Sequence, residues 1–218
     1  MNLRRFFLVL LVVAICTGCP VTSIPPSQRS SQALSQPVIE TVTGTYTHAA
    51  SKMTFPTEVA GFSREQIVRY DSAGLDVGVG YNLVEPPCGA AVTVYVSPGP
   101  RHTYVMADPA VVESTQANYL RQYFEATKAE IPKYHQGARV LSEGPELLRN
   151  PVDRPGLRAI FSFTDTFAFV RQPVQSELHV FIMDRAWFVK YRATYPDACA
   201  ANASQRVLAL MASLTWPG

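Results

Sequence analysis

The chain has 218 residues, of which 47% are hydrophobic and 17% charged, a balance that excludes a disordered polymer or a multi-pass membrane protein and suits one ordinary globular domain. Its 17 prolines and 12 glycines follow no three-residue period, which removes a collagen-like architecture. Nineteen basic residues face 17 acidic ones, and the surplus of two equals Arg4 and Arg5, so the rest of the chain is charge-balanced and offers no field for nucleic acid.

Those two arginines open a leader. An unbroken apolar run follows from Phe6 to Ile15, and then the segment Cys16-Thr17-Gly18-Cys19. Ten residues at about 1.5 Å each span roughly 15 Å, half of a ~30 Å hydrocarbon core, so the run predicts an export signal and not a permanent transmembrane helix. The segment that ends it resembles the bacterial lipoprotein lipobox, in which a small residue precedes a cysteine that receives lipid and becomes the new N-terminus. Gly18 and Thr17 fit that pattern, while Cys16 stands where the family usually has leucine. Lipidation at Cys16 would put the bulky Ile15 before the cleavage point, which favours Cys19 as the acceptor. The alternative is ordinary secretory cleavage after Gly18, leaving a soluble exported protein.

The resemblance implies a signal peptide over residues 1–18 and, on Cys19, a diacylglyceryl thioether with an N-acyl chain such as palmitate. Each buried methylene stabilises membrane association by about 0.8 kcal/mol, so two or three chains hold a protein where one would not. The expected partner is therefore the membrane itself, with an envelope protein as a further partner and no nucleic acid. The expected place is the bacterial cell envelope, facing the periplasm. Residue Pro20, which is not aspartate, points to the outer membrane.

Residues 19–52 are rich in Ser, Thr, Gln and Pro and poor in large apolar side chains, so they read as a lipidated flexible tether. A second possibility is that Val38-Ile39 and Val42 pair with a sheet edge. Residues 53–218 read as a single α+β domain, whose first buried anchors are Phe55-Pro56 and Val59-Ala60-Gly61-Phe62. Three strands follow at Gln66 to Tyr70, Leu75 to Leu83 and Ala91 to Ser97. In the second, Leu75, Val77, Val79 and Tyr81 alternate with Asp76, Gly78, Gly80 and Asn82, which predicts a sheet with one face on a core. Asp71-Ser72-Ala73-Gly74 reads as a hairpin turn.

Asp108-Pro109 opens a helix, with an acidic cap and a proline at the first helical position. Val112, Tyr119, Leu120, Tyr123 and Phe124 lie near one stripe, Pro132 ends or kinks the helix, and Gly137 closes the segment. Strands return at Ala138 to Leu141, Leu157 to Phe163 and in a long pair from Glu177 to Tyr195 that turns at Asp184-Arg185. Leu178, Val180 and Ile182 share one face of that pair, and Glu177, His179 and Phe181 the other. Asp197 is the expected cap of a last helix, with Val207, Leu208, Leu210, Met211 and Leu214 facing the core. This order, an antiparallel sheet of about six or seven strands packed by two main helices, resembles the PsbP-like α/β/α sandwich. The resemblance rests on element order and transfers a fold expectation without a function.

Beyond the leader and the lipid acceptor Cys19, two cysteines remain. Cys88 and Cys199 in an oxidising compartment predict one disulfide, and the competing reading makes Cys199 a thiol activated at a helix start. His48, in the tether, His102 and His135, in loops, and His179, in a strand, show no metal-ligand spacing. No nucleophile elbow, phosphate loop or other catalytic motif is legible, so no catalytic residue, metal or cofactor is expected. Arg149, Arg154 and Arg158 bracket the turn Asn150-Pro151-Val152-Asp153. They read as a solvated loop paired with Asp153 and its neighbours, or else as an anion or headgroup contact. Tyr95, Tyr104, Phe163, Phe167, Phe169, Phe181, Trp187 and Tyr191 are enough aromatic residues to line a pocket, although β-rich cores need no ligand to explain them. The functional expectation is a lipid-anchored, non-enzymatic interaction or accessory module. A periplasmic small-molecule or lipid binder with an aromatic pocket is the alternative, and an envelope hydrolase with a spatially assembled site comes third.

Overall fold

A computed structural model describes residues 33–86, 88–99, 108–150 and 152–217. The leader, Cys19, residues 20–32 of the expected tether, His102 and Tyr104 lie outside them. The strands are β1 (Ala33–Glu40), β2 (Tyr46–Thr47), β3 (Thr54–Phe55), β4 (Glu58–Val59), β5 (Phe62–Asp71), β6 (Val77–Leu83) and β7 (Ala90–Pro98). Helix α1 (Pro109–Tyr134) is followed by β8 (Arg139–Asn150), β9 (Val152–Phe167), β10 (Val170–Met183) and β11 (Trp187–Pro196). A 3-10 turn (Asp197–Cys199) leads into α2 (Ala200–Ser213).

Among the described residues, nine strands form one antiparallel sheet in the order β1-β5-β6-β7-β11-β10-β9-β8, with β4 on β5, while β2 and β3 pair apart. The fold is α+β as expected, with more strands than the six or seven anticipated. The surplus comes from the two-residue strands β2, β3 and β4, too short to show alternation, and from β1, whose first residues do not alternate. Two hairpins close through two residues, Ala60-Gly61 and Ala168-Phe169, both with positive φ at each position, the twist that suits such connections, and Asp184-Arg185 hold positive φ in the three-residue turn that ends at Ala186.

Period-two alternation sends successive side chains to opposite faces. Leu178 and Val180 of β10 join Phe124 and Ile131 of α1 in one apolar cluster. Phe181 and Met183 join Val207, Leu210, Met211 and Leu214 of α2 in the other. The helices therefore cover opposite faces of the sheet. Asp108 caps α1 by accepting from the Ala110 N–H at 2.8 Å, with Pro109 first in the helix as the sequence suggested.

Several expectations need correction. The folded body does not begin at Met53: β1 pairs with β5 from Ala33↔Asp71 to Glu40↔Ile67. Arg64 donates to the carbonyls of Phe55, Val42 and Gly44 at 2.7, 3.0 and 2.7 Å, which holds the segment after β1 in place. The part of the supposed tether from residue 33 onward is thus held by main-chain hydrogen bonds and one arginine, for which apolar content is no guide. Strand β6 is buried on both faces, because Gly78 leaves room for Tyr70 and Tyr95 and Gly80 for Gln66. Pro132 does not end α1, which runs two residues further, to Tyr134. Asp197 lies in the 3-10 turn, where it accepts from Gln175 at 2.8 Å, and α2 starts after Cys199. Leu208 is partly exposed, not core-facing.

Candidate functional site

Two clusters of polar side chains lie inside the body, one on each face of the sheet. On the α2 face, β10 turns Glu177 and His179 inward beside Phe181, and both are 0% exposed. The His179 Nδ1 is 2.7 Å from Glu146 Oε2 on β8, and its Nε2 is 2.8 Å from Glu177 Oε2. Arg158 on β9 donates to the same Glu177 oxygen at 3.0 Å and to Ser204 Oγ on α2 at 3.3 Å. The Tyr195 hydroxyl on β11 donates to Glu177 Oε1.

A histidine with a carboxylate oxygen at each ring nitrogen donates from both, so this arrangement selects the imidazolium. Burial by itself would lower the His179 pKa, but hydrogen bonds and charge from Glu146 and Glu177 outweigh it and raise the value. Burial by itself would raise Glu177; the His179 bond and charge, with Ser204 and Tyr195, bring it down to about 2. Two carboxylates face two cations, and each Glu177 oxygen has a protein partner. The cluster ties β8, β9, β10, β11 and α2 together and leaves no Glu177 oxygen without a protein donor.

The α1 face differs. Beneath the last turns of α1, a cavity of about 130 Å³ opens between the helix and strands β7, β10 and β11. Alternation on β11 places Lys190 and Arg192 side by side in its wall, on the face opposite Val189, Tyr191 and Ala193. The Lys190 Nζ stands 4.1 Å from the centre of the Tyr95 ring. Arg192 uses Nε to donate to Ser176 Oγ at 2.6 Å, and Ser176 in turn donates to the Ala193 carbonyl. Among the described residues neither cation has a carboxylate at ion-pair distance. Burial lowers the pKa of both, Arg192 to about 10.

Glu130 is exposed and contributes to the wall from α1, as does His135, which burial pushes down. A wider open groove of about 520 Å³ shares Tyr134 and His135 with the cavity and carries Arg139 and Arg171. There His135 Nδ1 lies 3.0 Å from Asp165 Oδ2 and its ring stacks on Phe163 at 4.2 Å.

The residues singled out from sequence are placed as follows. Cys88 and Cys199 stand at disulfide distance, with Cα atoms 5.4 Å apart. His48 is not a tether residue: it is fully buried, donates from Nε2 to the Gly74 carbonyl at 2.9 Å, and faces Ser51 Oγ at 2.7 Å through Nδ1. Its tight Ser51-Lys52 turn and the Trp187 ring beside it explain the burial. The three arginines form no common patch. Arg149 pairs with Asp153 at 3.1 Å in solvent, Arg154 donates to the Asn150 and Pro217 carbonyls and lies over Trp216, and Arg158 belongs to the buried cluster.

The aromatic row is divided by the sheet. Phe181, Trp187 and Tyr191 pack with α2, Phe163 packs with α1, and Phe169 is 76% exposed at a hairpin tip, so these rings line no shared pocket. Lys190 and Arg192 were missed as a site because alternation marks them as off the α2 core without saying that α1 covers their face. The usable signal was an i, i+2 pair of cations in a strand whose other face is wholly apolar. Among the described residues no group of three or more His, Cys, Asp or Glu could hold a metal, and no helix is long and apolar enough to cross a membrane. Comparison with family models, curated proteins and solved structures finds no match.

Proposed function

We propose that the protein is a lipid-anchored component of the bacterial cell envelope, held through Cys19, whose α+β body serves as an interaction or accessory module and not as an enzyme. The observation that carries this reading is the leader: Arg4-Arg5, ten apolar residues, then Gly18-Cys19. The body adds a constraint on reach. Strand β1 begins at Ala33, so residues 20–32 separate it from Cys19, and a chain of that length spans at most about 50 Å. The body works close to the membrane surface, and the partner it meets is another envelope component. Placement at the outer membrane follows from Pro20 after the cysteine.

A binding role is supported over a hydrolytic one by the state of the buried cluster. Its best general base, Glu177, is held well below neutral pH with both oxygens occupied by protein donors. The interaction reading is favoured over an aromatic-lined apolar pocket by the packing of Phe181, Trp187 and Tyr191 in one core and Phe163 and Phe167 in the other. The element order further supports kinship in shape with the PsbP-like arrangement, with the helices on opposite faces of the sheet. Cys88 and Cys199 are proposed to be bonded in the oxidised envelope.

The test is fractionation of cells expressing the full chain or Cys19→Ala. The wild type is expected in the membrane fraction, released by detergent and not by high salt. The variant is expected in the soluble fraction with the wild-type melting temperature. A wild type that is soluble without detergent, or a variant that stays with the membrane, contradicts the proposal.

A further inference from the structure

The cavity under α1 holds two cations that have no ion-pair partner among the described residues. Burying a cation is costly unless a partner is present. Among the described residues Lys190 has the face of Tyr95 at 4.1 Å, with the Glu130 and Asp76 charges beyond ion-pair distance, and Arg192 has the neutral Ser176 hydroxyl. Other cations of the body meet acceptors: His179 and Arg158 find Glu177, and Arg64 and Arg154 find backbone carbonyls. Among the described residues the two Arg192 terminal nitrogens have no protein acceptor, although they are the pair that can grip two oxygens side by side.

We infer that this cavity binds an anionic group with two or more oxygens on one centre, a carboxylate or a phosphate, with Arg192 gripping it through both terminal nitrogens and Lys190 adding a point charge. At about 130 Å³ the space equals roughly four waters at ~30 Å³ each, which suits an anionic head and not a whole cofactor. The adjoining groove, with Arg139 and Arg171, gives the remainder of the ligand a way out to solvent. The groups facing the site are Glu130 and His135 from α1, Tyr95 from β7 and, through space, Asp76 before β6. Glu130 is exposed to solvent. Burial first, and the Arg192 charge second, lower the His135 pKa. The site stands whether or not Cys19 carries lipid.

The test compares melting temperatures of the full-length protein in mild detergent with sodium phosphate, sodium succinate or sodium chloride at equal ionic strength, for wild type and Lys190→Met. Ligand binding raises stability by mass action, and any general salt effect is the same in both proteins. Wild type is expected to melt higher in phosphate, in succinate or in both than in chloride, with the increment lost in Lys190→Met. A response to phosphate alone assigns a phosphoryl head, and a response to succinate alone a carboxylate. In chloride, Lys190→Met is expected to melt at or above wild type, because the cost of desolvating the ammonium outweighs its contact with Tyr95. Absence of any anion increment in wild type, an equal increment in both proteins, or a Lys190→Met that melts lower in chloride and keeps the increment would each overturn the inference.

Discussion

His179 Nε2 lies 2.8 Å from Glu177 Oε2, two residues away on the same strand and with both side chains fully enclosed. Neighbours at i and i+2 share a face, so a carboxylate and an imidazole meet within one strand, and the sheet then adds Glu146, Arg158 and Tyr195 around them. Removing one member of such a buried pair leaves an uncompensated charge, which costs about 3–5 kcal/mol. Glu177→Gln is therefore expected to lower the unfolding free energy by about 3 kcal/mol or more in denaturant titration. A loss below about 1 kcal/mol would mean that the cluster is not tightly coupled.

The same groups set a pH profile. Glu177 titrates near 2 in the fold against about 4.5 unfolded, so its contribution is complete above that unfolded value and disappears as pH falls through 2. His179 is raised, so its contribution is present below about 6.5 and is lost as pH rises through its folded value. Asp76 acts in the opposite sense to Glu177. Burial first and Asp71 second raise it to about 6, so the fold loses stability as pH rises from about 3.8 to 6. Asp76→Asn is expected to gain about 1–2 kcal/mol at pH 7 to 8, discounted for partial exposure, and to gain nothing at pH 3. Thermal melts of both proteins across pH 3 to 8 measure the difference.

Cross-strand packing offers a sharper test of register. Gly156 pairs with Phe181, whose ring covers it, and a Cβ at residue 156 would also meet the Val180 carbonyl oxygen at 2.8 Å. Gly156→Ala is expected to destabilise by about 2 kcal/mol or more through overpacking. Combined with Phe181→Leu, it is expected to cost less than the sum of the two single changes, a coupling that a double-mutant cycle reads directly. Additive costs would place the two residues out of contact.

Closing a loop of 111 residues restricts the unfolded chain by roughly 4–5 kcal/mol on the chain-entropy account. The denaturation midpoint is thus expected to fall on reduction, and equally in the Cys88→Ala, Cys199→Ala double variant, which should no longer respond to reductant. Two reactive thiols in the oxidised, unfolded protein would show the pair to be unbonded.

The long elements were legible where one rule governs them. Asp108-Pro109 opens α1, Asp184-Arg185 turns β10 into β11, and the split of Leu178 and Val180 from Glu177, His179 and Phe181 follows from period two alone. What escaped depends on distant partners. Nothing within residues 33–52 says that Arg64 will hold Val42 and Gly44, or that His48 will settle against Gly74 and Trp187. Local composition therefore read a docked segment as a tether. The cationic cavity escaped for a similar reason, since Lys190 and Arg192 look like an ordinary solvated strand face until α1 is laid over them. Cys88 and Cys199 were accessible because counting thiols leaves a single pairing beyond the leader and Cys19.

The most direct test of the account is the intact mass of the protein extracted from native membranes, beside that of Cys19→Ala. The account requires a mature chain that begins at Cys19 and carries acyl chains, with that added mass and membrane residence lost together in the variant. A chain that begins at Cys19 without lipid, or one that retains residues 1–18, would contradict it.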